Sequence, residues 1–234
     1  MSTITTEMPV GQIVAQYPQT ARVFEKYGID YCCGGKLALG TYLVKRGLDA
    51  QVVLAELNGD APGHDAHPER DWTTATASEL IRHILDTHHV YLRENLPRLG
   101  HLATKVARVH GENHPELIEL AHVYAAFQLE MEQHMPKEEQ ILFPAILELE
   151  AGTGRFPVNH PITVMEAGHE AAGAALERMR ELTHDFTPPE DACGSYNALF
   201  NGLADLETDT FRHVHKENNI LFPKALALLS GVPA

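Results

Sequence analysis

His134-Met135-Pro136-Lys137-Glu138-Glu139-Gln140-Ile141-Leu142-Phe143-Pro144 recurs 79 residues later as His213-Val214-His215-Lys216-Glu217-Asn218-Asn219-Ile220-Leu221-Phe222-Pro223. In each copy a His precedes a Glu by four residues, and Ile-Leu-Phe-Pro follows. On an α-helix, residues i and i+4 lie about 40° apart around the axis and roughly 6 Å apart along it, so both side chains can face one centre. Imidazole nitrogen with carboxylate oxygen is a ligand set suited to iron, manganese or zinc. The repeat extends upstream: His89 stands 45 residues before His134, and His169 stands 44 before His213.

Single His, then His-x3-Glu, twice over, reads as a duplicated two-helix unit. Two antiparallel helix pairs make a four-helix bundle, whose facing side chains can build a di-metal site in the core. The predicted fold is therefore all-α. The predicted metal ligands are His89, His134, Glu138, His169, His213 and Glu217. Six side chains exceed what one tetrahedral zinc takes, and they suit two irons with two carboxylates free to bridge. A lone His on an apolar helix face is more often a core residue than a ligand. The repeat argues otherwise, because burying two carboxylates without a cation costs several kcal/mol. The Ile-Leu-Phe-Pro tails read as packing around the site.

Composition narrows the classes of partner. The net charge is −14, and nearly all of that excess lies after residue 60. Such a chain lacks the basic face that a nucleic-acid backbone or an anionic membrane surface requires. No apolar run approaches the ~18 residues of a spanning helix, and no signal peptide is apparent. Three cysteines, two of them adjacent, do not make a disulfide framework. These features predict a cytoplasmic protein.

Along the chain, residues 1–57 read as a small N-terminal helical domain. Helices are expected at Val10–Gln16, from a Thr20 cap to Tyr27 with Gly28 as the stop, at Leu37–Arg46 ending in Gly47, and from an Asp49 cap to Leu57. Between them Asp30-Tyr31-Cys32-Cys33-Gly34-Gly35 predicts a tight turn with backbone amides free to face a ligand. Cys32 and Cys33 read as exposed nucleophiles, as soft metal ligands, or as two small buried residues; adjacency opposes a disulfide between them. Cys193 reads as structural or incidental. Residues 58–74 form the expected linker, with His64 and His67 solvated.

The bundle is expected over 75–234. Thr76-Ala77-Ser78-Glu79 is a capping box. It opens a helix that carries His89 and continues past Pro97 toward His110. Pro115 opens the second helix, Pro161 the third, and the fourth starts near Glu190. His88 and His215 point away from the ligands, and His110 is too far along its helix to join them. Glu130, four residues before His134, reads either as a carboxylate orienting an imidazole or as a surface residue.

Asp30–Gly35 resembles the signature of the short N-terminal domain of the repair-of-iron-centres proteins, the YtfE/ScdA group. His134–Pro144 and His213–Pro223 resemble that family's hemerythrin-like ligand segments, and the resemblance covers essentially the whole chain. It implies a non-haem di-iron centre with four terminal His ligands. Glu138 and Glu217 would bridge the irons beside an oxo or hydroxo group, and Cys32 and Cys33 would be functional. It implies repair of iron–sulfur clusters in damaged or apo proteins under nitrosative and oxidative stress, by iron donation, in the bacterial cytoplasm, with a homodimer as one assembly. Gly168 stands where some members have an acidic residue. Two rival activities fit the same ligands: binding and reduction of nitric oxide, and oxygen carriage or sensing.

Overall fold

The computed structural model describes residues 3–59, 70–154 and 156–230. Most of the expected linker, with His64 and His67, falls at 60–69, outside the described residues. The helices in chain order are α1 (Val10–Gln16), α2 (Ala21–Lys26), α3 (Leu39–Arg46), α4 (Ala50–Leu57), α5 (Ala77–His83), α6 (Val90–His110), α7 (Glu116–Lys137), α8 (Phe143–Glu150), α9 (Asn159–Leu182), α10 (Gly194–Lys216) and α11 (Phe222–Leu229). Wide π-helical turns at Ile84–His89, Glu138–Leu142 and Glu217–Leu221 join α5 to α6, α7 to α8 and α10 to α11. No strand occurs among the described residues; Pro9 and Ala38 make one isolated antiparallel bridge. The fold is all-α.

The described chain divides into two compact units. Of the described residues, one unit takes those within 81–210, and the other takes 3–59 and 70–80 together with 211–230. In the first, α7 packs against both α6 and α9. On α10, Gly202 sits against Leu99 of α6, and Arg180 of α9 pairs with the buried Glu207. The four helices present apolar stripes with alternating three- and four-residue spacing, as a bundle core requires. On α6 these are Leu92, Leu96, Leu99, Ala103 and Val106; on α7, Leu117, Leu120, Tyr124, Phe127 and Met131.

The second unit collects the short helices. Asp49 caps α4 by accepting from the Gln51 and Val52 amides. Gly28 and Gly47 end α2 and α3 at φ of 60° and 64°. Thr76 and Glu79 form the reciprocal cap of α5: the Thr76 amide donates to Glu79 Oε2 and the Glu79 amide to Thr76 Oγ1, both at 3.1 Å. Three expectations are corrected. Thr20 is not a cap: it ends a 3-10 turn begun at Pro18, and its hydroxyl donates to the Tyr17 carbonyl. α3 begins at Leu39 rather than Leu37, because the Val10 amide takes the Leu37 carbonyl and the Leu39 amide donates to Met8. α10 begins at Gly194 rather than Glu190, since a turn closed by the Ala192 amide on the Pro189 carbonyl follows the two prolines.

Candidate metal centre

The predicted ligands lie on the same stripes that build the core. On α7 the series 117, 120, 124, 127, 131 continues as His134 and then Glu138. On α9 it is Ile162, Met165, His169, Ala172, Leu176 and Met179. On α10 it is Tyr196, Leu199, Leu203, Leu206, Thr210, His213 and then Glu217. In the first helical stretch the wide turn supplies the register: Ile84 and His89 are five apart, after which Leu92 resumes normal spacing. All six side chains are buried, with His89, Glu138, His169, His213 and Glu217 at 0 % exposure.

The wide turns at both Glu residues have one local cause. The Phe143 amide donates to the Glu138 carbonyl and the Phe222 amide to the Glu217 carbonyl, each five residues back. Pro144 and Pro223 follow immediately. A proline ring clashes with the carbonyl four residues before it in a regular helix, and widening the turn relieves that clash. The Ile-Leu-Phe-Pro tails thus shape the helix beneath the carboxylates as well as packing around them.

Within residues 81–210 three imidazoles converge on one carboxylate. His134 Nε2 lies 2.9 Å and His169 Nε2 3.9 Å from Glu138 Oε1, and His89 Nε2 lies 3.3 Å from Glu138 Oε2. His89 Nδ1 is 2.6 Å from Glu139 Oε1, an oxygen that also receives Arg93. A carboxylate accepts, so Nδ1 of His89 donates to Glu139, and Nε2 is the ring nitrogen left facing Glu138. A carboxylate buried among three imidazole nitrogens calls for positive charge beside it, which a metal ion supplies. A carboxylate behind the far nitrogen is also the usual support of a metal-bound His. The donor set therefore fits a metal ion. In the other unit, His213 Nε2 lies 3.2 Å from Glu217 Oε1, the same i,i+4 pair.

Sequence reasoning missed Glu139. Its signal was a break in the repeat, since the second copy has Asn218 at the matching place. Glu130 and His134 both lie beside Gly168: a Cβ there would sit 2.8 Å from His134 Nδ1 and 3.1 Å from Glu130 Oε1. His88 is buried and bonds Asp209 at 2.8 Å, and His215 packs edge-on against Tyr31. Burial lowers the His215 imidazole to about 3, so it is neutral. His110 faces Cys193 instead, Nε2 to Sγ at 3.2 Å.

The cysteine turn differs from expectation in one respect. Its amides are not open to a ligand, because Asp30 occupies them. Oδ1 accepts from the Cys32 and Cys33 amides, both at 2.9 Å, and Oδ2 from Gly34 at 3.0 Å. Cys32 is buried and Cys33 half-buried, with sulfurs 3.6 Å apart. Burial first, then the Cys33 and Asp30 neighbours, push the Cys32 thiol well above its ordinary value. Cys32 is thus not an exposed nucleophile. Gly34 and Gly35 are required by close packing: a Cβ at 34 would run into the Tyr42 hydroxyl, and one at 35 would meet Asn219 Oδ1 and the Tyr31 carbonyl, each at 2.8 Å.

Comparison with known proteins agrees with this arrangement. Residues 80–225 match the hemerythrin HHE cation binding domain, and residues 6–61 match a domain described as of unknown function. Proteins named iron-sulfur cluster repair protein YtfE, from Citrobacter koseri, Escherichia coli and Shigella boydii, are 40% identical over 221 residues, which cover 94% of this chain and 97% of each relative. A buried His and Glu group able to hold metal, on a bundle that carries the cation-binding pattern and is preceded by the matching N-terminal segment, leaves one assignment: the chain belongs to the hemerythrin HHE family, alongside the YtfE iron–sulfur cluster repair proteins.

Proposed function

We propose that this chain repairs iron–sulfur clusters damaged by nitrosative and oxidative stress, by donating iron. His89, His134, His169 and His213 would be terminal ligands, and Glu138 and Glu217 would bridge two non-haem irons. The observation that carries this reading is the His89 arrangement, with Glu139 holding Nδ1 and Nε2 turned to a buried carboxylate. The i,i+4 pair at His213 and Glu217 and the 40% identity to proteins named for cluster repair support it further. Bound iron would supply ions for delivery and open positions for small ligands such as nitric oxide or oxygen. The protein's own groups orient the His89 imidazole, exclude water from the carboxylates and present thiols elsewhere in the chain.

In this reading Cys32 and Cys33 pass iron to the damaged protein, and the setting is the cytoplasm, where thiols stay reduced. No helix among the described residues is long and apolar enough to cross a membrane. Residues 1–57, 58–74 and 75–234 would act as docking module, linker and iron-holding bundle, in a monomer or homodimer.

The test is reactivation. Reduced, iron-loaded protein is mixed anaerobically with an apo or nitrosylated [4Fe–4S] enzyme. Recovery of that enzyme's activity, absent with Glu138→Ala or Glu217→Ala protein, is the expected outcome. No recovery with wild-type protein that carries its iron would overturn the reading.

A further inference from the structure

The Asp30 turn holds three metal-ligating groups outside the buried His and Glu cluster, two of which the repair reading uses to pass iron on. Donor atoms of Asp30, Cys32 and Cys33 all lie within 4.8 Å of one another. We propose that these three side chains form a second metal site, which holds one thiophilic divalent ion of the first transition row through two sulfurs and one carboxylate oxygen. The proposal deepens the repair reading and rests on it only for the identity of the ion, ferrous iron in transit.

The geometry separates this role from its rivals. The sulfurs are 3.6 Å apart. Two thiolates on one tetrahedral ion, each at about 2.3 Å from it, stand roughly 3.8 Å apart. A disulfide needs about 2.05 Å, and its Cα atoms normally stand at least ~4.4 Å apart, whereas neighbouring Cα atoms are held at about 3.8 Å. The sulfurs share a thiol contact at a spacing that suits a common ion and not a bond between them. Asp30 fits a ligand role as well. Its Oδ2 accepts one amide, from Gly34, and keeps a lone pair; its Oδ1 takes two amides and the Cys32 thiol at 3.1 Å.

Binding would release one proton from each thiol to solvent. Loss of the Cys32 proton also removes the thiol bond to Oδ1. Half-buried Cys33 gives the ion a route from solvent. The Cys32 carbonyl is held from outside the turn by the Asn219 and Asn218 side-chain amides at 3.4 and 3.5 Å, so the backbone is set before the ion arrives.

Cobalt(II) added to reduced, metal-free full-length protein tests the site, because thiolate-to-cobalt charge transfer in the near ultraviolet reports sulfur ligation only. The expected result is one such cobalt per chain, kept in Glu138→Ala/Glu217→Ala and in Cys193→Ser and lost in Cys32→Ser and in Cys33→Ser. Asp30→Asn retains one oxygen for the Cys32 and Cys33 amides but loses the anionic ligand and the acceptor of the Gly34 amide. It should weaken that cobalt on the order of tenfold or more, with helical circular dichroism unchanged. Absence of the band in wild-type protein, its persistence in either serine variant of the pair, or wild-type affinity in Asp30→Asn would overturn the proposal. A chain that shows the band yet fails to reactivate a damaged enzyme ends the repair reading and leaves the site standing.

Discussion

Glu139 shows how a single residue orients a buried His. Its carboxylate holds Nδ1 of His89 and so turns Nε2 toward Glu138. Glu139→Ala is expected to weaken iron retention by about 10- to 100-fold, the usual effect of losing the group behind a metal-bound imidazole. A chelator challenge, with iron remaining on the protein followed against time, measures it. Since Glu139 is a quarter exposed, the variant should keep its fold. The burial of all six candidate ligands was legible in the sequence, because a pattern duplicated at nearly equal spacing marks one inward face of each helix. Glu139 was not, because its partner lies 50 residues away and only the fold brings them together. Asp30 was legible as part of a turn motif, yet its three amide bonds reverse the expected openness of that turn.

Among the elements, capped helices were readable and wide turns were not. Thr76 with Glu79 and Asp49 with its amides are local chemistry, written within four residues of sequence. The proline after each Phe announced a bend, but whether a helix ends, kinks or widens depends on the core register it must keep. The turn after Glu217 has a second task. Asn219 donates to the Cys32 carbonyl and packs against Gly11 and Gly35. Asn219→Ala is expected to cost about 1–2 kcal/mol, one hydrogen bond with its local packing. Chemical denaturation measures the loss, and a companion Asn218→Ala, with a longer contact at 3.5 Å, should cost less.

For the whole molecule, several buried phenols set an alkaline limit. Burial, then the Glu25 charge, raises Tyr31 well above its ordinary value, and burial raises Tyr124 in the same direction. The unfolded chain releases these protons near pH 10 while the folded chain keeps them, so stability is intact below that pH and falls above it. Each such group takes away about 1.4 kcal/mol per pH unit until its folded-state value is reached. Urea midpoints measured from pH 8 to 11 should show this slope, and Tyr31→Phe should flatten it. The division of the chain was the least legible feature. Composition marks a break near residue 60, but residues 211–230 join the N-terminal compact unit, where Tyr31 meets Phe211 and His215 and Arg212 donates to both oxygens of Glu25. That has a consequence for biosynthesis. A ribosome adds about 5–20 residues per second, so the first 59 residues wait roughly ten to thirty seconds for the segment that completes their unit. Through that interval the Cys32–Cys33 turn lacks the Asn219 clasp on its Cys32 carbonyl, and a nascent chain is most open to oxidants and stray metal at the very pair that the finished protein half encloses.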